Sequence, residues 1–152
     1  MKRTAIITAI LMAISTAHPA SGRLIDDRTF EQLFAKADFV VIARPTSATH
    51  DTRERGFLLG NLPVIGVITE FQTLLVLKGA KRERFMLHHY REAPLPSGVA
   101  FVNGPTLLSF DPKEDHRPYL LFLVREPDGR LAPVASQTDL DVSVRQVGGI
   151  AE

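Results

Sequence analysis

The pair His88-His89 is the place where this chain could most readily do chemistry, since two imidazoles invite a metal ion. Neighbours on a strand point to opposite faces, however, so the two cannot reach one ion while the strand stays regular. If Leu87 and His89 share a face, one histidine is half-buried and the other exposed. A tetrahedral site would need further ligands, for which His50 and His116 are the remaining sources. His88, His89 and His116 are therefore the candidate metal ligands, and the sequence alone assembles no complete set. A second candidate is the acidic run Asp111, Glu114, Asp115 and His116, which has carboxylates enough for calcium. It lacks the spacing and central glycine of the common calcium loop and reads as a solvated loop.

A third candidate is positive. Lys78, Lys81, Arg82, Arg84 and Arg91 form the densest basic stretch, with Phe85 and Tyr90 among them. Barrels that hold single strands combine such charge with stacking aromatics. Here the interleaving is sparse, so Lys81, Arg82, Arg84, Tyr90 and Arg91 are taken as a candidate binding surface for an unknown partner, and nucleic acid is not expected. Enzyme signatures fare worse. The chain has no Gly-x-Ser-x-Gly elbow, no His-Glu-x-x-His and no phosphate loop, and no motif calls for a cofactor. Ser109, Asp111 and His116 lie too close together in one loop to resemble a positioned triad. The reading is of a non-catalytic protein.

The compartment follows from the first twenty residues. Lys2 and Arg3 precede an uncharged run from Ala5 to Ile14, and Ser15 to Ala17, or His18 to Ala20, supply a small-x-small end. These are the three parts of an export signal, with cleavage expected after Ala17 or Ala20. The uncharged stretch from Thr4 to Ala17 is shorter than the ~20 apolar residues of a spanning helix, so stable membrane insertion is not expected after cleavage. Losing Lys2 and Arg3 moves the formal charge from +1 to −1, which removes the basic surplus that nucleic-acid binding normally requires. The chain contains no cysteine, so thiolate chemistry and disulfides are excluded and the fold must hold by core packing. An exported domain without disulfides points to a bacterial protein of the periplasm or the exterior.

The elements that must position these residues are mostly strands. Thr29 and Gln32 form a capping box ahead of Phe30, Leu33, Phe34 and Ala37 at i, i+3, i+4 and i+7, predicting a two-turn helix packed on a sheet. Phe39 to Ala43 predicts a strand stopped by Arg44-Pro45. Thr46 to Gly60 reads as a loop or frayed strand end, with Asn61-Leu62-Pro63 continuing the break. A long strand follows from Val64 to Leu77, in which Val67, Thr69, Phe71, Thr73, Leu75 and Leu77 share the expected core face. Further strands are expected over Arg84 to Tyr90 and, in short pieces, Val99 to Val102 and Thr106 to Phe110. Asp111 to Pro118 reads as a charged loop. Tyr119 to Val124 and Leu131 to Val134 should form a hairpin through Glu126-Pro127-Asp128-Gly129, with proline at the second turn position and glycine at the fourth. A last strand is expected from Leu140 to Val147, then a flexible tail over 148–152.

Five or six strands, one short N-terminal helix and no βαβ alternation predict a mainly β fold, a small antiparallel barrel or sandwich, in one domain spanning 21–147. The order of the pieces is informative: an opening helix, Ala37-Asp38-Phe39-Val40-Val41-Ile42-Ala43-Arg44, a long strand ending Val76-Leu77-Lys78-Gly79, and the hairpin from Tyr119-Leu120-Leu121-Phe122-Leu123 through Gly129 to Leu131. Over residues 29 to 135 this resembles the bacterial members of the tissue-inhibitor-of-metalloprotease-like, or netrin-like, group of OB-fold domains. Eukaryotic inhibitors of that group bind the protease zinc through an N-terminal cysteine, and this chain has none. The resemblance therefore implies a small antiparallel OB-like barrel with one short N-terminal helix that binds an exported or envelope protein, or alternatively a small ligand or metal, and not a metalloprotease inhibitor. Fold analogy reaches no further.

Overall fold

The computed structural model describes residues 28–58, 62–94, 107, 109–110, 112, 117–135 and 143–148. Within them the order is α1 (Phe30–Lys36), β1 (Phe39–Pro45), β2 (His50–Leu58), β3 (Leu62–Lys78), β4 (Arg84–Glu92), β5 (Tyr119–Arg125), β6 (Leu131–Pro133) and β7 (Val144–Gln146). β1 pairs with both β3 and β5, β3 with β4, β4 with β6 and β6 with β5, so five strands close on themselves in the order β1-β3-β4-β6-β5-β1. Every pairing is antiparallel except β4 with β6, a single parallel contact at Leu87 and Leu131. This is a small OB-like barrel with one short helix, as the sequence predicts.

The barrel is filled by alternate residues of each strand. Phe39, Val41 and Ala43 of β1, Phe71 of β3, Phe85 and Leu87 of β4, Tyr119, Leu121 and Leu123 of β5 and Leu131 of β6 form one core with Phe110 and Val144. Its centre is aromatic: Phe71 stacks on Phe85 at 5.6 Å and meets the edge of Phe110 at 5.2 Å. With no disulfide available, this interlocked cluster is the main source of burial. A smaller second core lies outside the wall, where Leu33 of α1 and Ala37, which caps its end, pack on Val40 and Phe122. Thr29 and Gln32 close the capping box at the start of that helix.

Three expectations need correction. Thr46 to Gly60 is no loop over most of its length, because β2 occupies His50–Leu58 and pairs with the first half of β3. Among the described residues this strand pairs with β3 alone, and its polar alternation carries no core face to mark it. β3 also runs through Leu62 and Pro63, beyond the expected break. Along β3 the expected core face holds only as far as Phe71. Pairing with β1 skips Leu74 and Leu77, so Val76 turns inward against Val41 while Leu75 and Leu77 are left exposed. Each skipped residue is a bulge that reverses parity.

The remaining expectations agree or fall elsewhere. β5 and β6 pair as the hairpin, with Gly129 at φ 89° and its N–H donating to the Glu126 carbonyl at 2.8 Å. The segment 1–27, the strand 99–102, most of the loop 111–116 and the final residues lie outside the described residues.

Candidate functional site

Strand alternation sends His88 and His89 to opposite sides of β4, and both are buried, at 1% and 2% exposure. The expectation of one half-buried and one exposed histidine is thus corrected, because the outer face of β4 has a cover of its own. His89 points into the barrel. Its Nε2 lies 2.8 Å from Thr69 Oγ1, which lies 2.8 Å from Thr49 Oγ1, and its ring meets the edge of Phe110. Burial, and next the neighbouring His88, push its pKa down to about 3, so it is a neutral core residue near neutral pH.

His88 faces outward into a charged cluster. Its Nδ1 lies 2.8 Å from Glu126 Oε2, and its Nε2 lies 3.3 Å from Glu54 Oε2 without a hydrogen-bonding alignment. Glu54, on β2, also accepts from the Tyr90 hydroxyl at 2.6 Å and from the Arg130 guanidinium at 2.9 Å. These two bonds hold the Glu54 carboxyl below its ordinary value. Conversely, burial and then the Glu54 hydrogen bond and charge push the Tyr90 phenol up to about 12. Arg130 pairs in addition with Glu126 at 3.2 Å and Asp128 at 2.6 Å. The backbone makes room at Gly66, where a Cβ would come within 2.9 Å of Glu54 Cβ and 3.2 Å of His88 Nε2. Among the described residues no group of three or more His, Asp or Glu is arranged to hold a metal, and the cation between Glu54 and Glu126 is the Arg130 guanidinium. His88 and His89 cannot share an ion, and His116 lies outside the described residues.

The basic stretch does not form one surface. Lys81 and Arg82 sit in the β3–β4 connection, with the Arg82 guanidinium 5.1 Å from the centre of the Phe39 ring. Arg84 pairs with Glu70 at one end of β4, whereas Arg91 at the other end pairs with both carboxylate oxygens of Asp51. Tyr90 belongs to the cluster around Glu54. Six steps separate Arg84 from Tyr90, about 20 Å along an extended strand.

The second feature that sequence reasoning missed is apolar. Between α1 and the outer wall of the barrel lies an open cleft of about 480 Å³, lined by Phe30, Phe34, Val40, Leu77, Leu120 and Phe122, with Glu31 and Ala35. Phe30, Phe34 and Leu77 remain 50%, 42% and 46% exposed. Each of its helix aromatics lies beneath a cation, Lys78 Nζ at 5.3 Å from the Phe34 ring and the Arg145 guanidinium at 5.5 Å from Phe30. Lys78 also donates to the carbonyls of Phe34 and Ala35, fixing the end of α1. The helical stripe of phenylalanines had suggested core. In fact only Leu33 and Ala37 of that stripe are buried, while Phe30 and Phe34 line the cleft and stay half exposed.

No family model matches the sequence, and no curated protein matches it. No helix among the described residues is long and apolar enough to cross a membrane.

Proposed function

We propose that this protein is an exported, non-catalytic interaction module of the bacterial periplasm or exterior, in which an OB-like barrel presents the α1 cleft to another exported or envelope protein. The observation that supports this reading is the cleft itself: three large apolar side chains left half exposed and contiguous, where scattered single ones would need no explanation. Its charge selects among occupants. Lys78 and Arg145 stand over the two phenylalanines, while Glu31 is the one acid in the lining. The partner that fits is a protein segment that inserts an aromatic or aliphatic anchor and carries acidic residues beside it. Export rests on the composition of residues 1–20, and kinship with the netrin-like group rests on the order of strands and turns.

The test places a photo-crosslinking residue at Leu77 in the protein expressed with its own leader, in cells that make it. The expected result is one crosslinked protein whose attachment peptide holds an apolar residue flanked by acids, lost in Phe34→Asp but retained in Arg84→Gln. A crosslink only to an acyl chain or other small molecule would overturn the protein-partner reading in favour of a ligand-binding barrel.

A further inference from the structure

The barrel closes at its weakest seam beside the charged cluster. β4 and β6 share one backbone pairing, Leu87 with Leu131, while the other neighbouring strands are joined by longer ladders. Immediately before Leu131 comes the turn Glu126–Arg130, whose Pro127, Asp128 and Gly129 are exposed. Side-chain bonds tie that turn to its surroundings: Arg130 to Glu54 of β2, and Glu126 to His88 of β4. We propose that this turn is a charge-held clasp, which closes the outer face of β3 and β4 and the β4–β6 seam, and which can release without unfolding the rest of the barrel.

Three observations support the inference. The face under the clasp is shaped for it, since Gly66 leaves the space that Glu54 and His88 fill. The groups facing one another across it are Glu54 from β2, His88 and Tyr90 from β4, and Glu126, Asp128 and Arg130 from the turn, so its strength is electrostatic and open to screening. One polar atom in it, His88 Nε2, is buried without an aligned hydrogen-bond partner, so the closed state leaves a polar group incompletely satisfied. Here the outer face of β4 at His88 is covered by the chain's own side chains, and release of the clasp would uncover it. The inference goes beyond the cleft at α1, which stays open whatever the clasp does.

Hydrogen exchange followed by mass spectrometry on the intact protein tests it. In Arg130→Gln, in Glu54→Gln, and in the unaltered protein moved from 0.1 to 1 M NaCl, amides of 126–133 and 86–92 should exchange about tenfold faster, with 39–43 and 119–123 unchanged. Arg91→Gln, which removes a more exposed pair with Asp51, should leave both sets unchanged. Faster exchange spread evenly over all strands would reduce the cluster to a general stabiliser, and no change in Arg130→Gln and Glu54→Gln would show that charge does not hold the seam. Either result overturns the proposal.

Discussion

His89 is an imidazole held neutral inside an aromatic barrel, and this makes the stability of the fold depend on pH in a definite window. In the folded protein its pKa is about 3, against 6.5 for a free histidine. Below 6.5 the unfolded chain takes up a proton that the folded chain refuses, so acid favours unfolding until the folded group itself protonates near 3. The slope approaches about 1.4 kcal/mol per pH unit, and between pH 6.5 and 4.5 the loss reaches about 2–3 kcal/mol. Carboxylates contribute elsewhere: Glu54, held below its ordinary value of 4.5, adds stability that is present above 4.5 and lost as pH falls through its lower folded value. Urea unfolding by far-UV circular dichroism at pH 7.0, 6.0, 5.0 and 4.5 would measure the effect, since the chain has no tryptophan for fluorescence. His89→Gln should be less stable at pH 7, because a packed side chain is replaced. It should also lose stability more slowly between 6.5 and 4.5 than the unaltered protein, by about 2 kcal/mol over the window. If the two proteins lose stability in parallel, His89 is not a buried neutral group and the reasoning fails.

Two other outcomes are expected. Gly79 and Gly129 both have positive φ, 96° and 89°, but a Cβ at Gly79 would meet the Asp38 carbonyl at 2.8 Å while one at Gly129 meets nothing within 4 Å. Gly129→Ala should therefore cost about 1 kcal/mol from its dihedral alone, and Gly79→Ala about 2–4 kcal/mol in the same urea assay, with equal losses counting against the clash. Tyr90 and Tyr119 are the two tyrosines of the chain, so phenol ionisation can be followed by absorbance near 295 nm. Glu54→Gln should bring the Tyr90 step down from about 12 part of the way towards 10, the share due to burial remaining, and an unmoved titration would separate Tyr90 from Glu54.

The legibility of this chain in its sequence follows from the range of the interactions involved. The capping box at Thr29 and Gln32 and the turn Glu126-Pro127-Asp128-Gly129 are local, and both form as the residues dictate. The opposite directions of His88 and His89 follow from pleating alone. The inward turn of Val76 was hidden because the bulge at Leu74 changes parity, and a bulge is set by the register between β1 and β3 rather than by residues in sequence. β2 was missed because its Glu54 serves a cluster whose other members, His88 of β4 and Arg130 of the turn before β6, lie far away in sequence. The same distance concealed the site: Glu54, Glu126, Asp128 and Arg130 each read as solvated charge until β4 brings an imidazole between them. The cleft was concealed differently, since a helix stripe shows which face is apolar but not how much of it the wall can cover.

The pairing of β1 with β5 bears on the order in which the chain can become a barrel. Phe39 to Ala43 find their second neighbour only at Tyr119 to Leu123, so a growing chain has made every earlier strand before the wall can close. Until then β1 and β3 form a sheet with an open edge and one uncovered apolar face. A chain interrupted anywhere before β5 is left in that condition, able to pair with another like itself. Vulnerability to aggregation is therefore concentrated in the interval before residue 119 emerges, and whatever guards the protein must hold it through that interval.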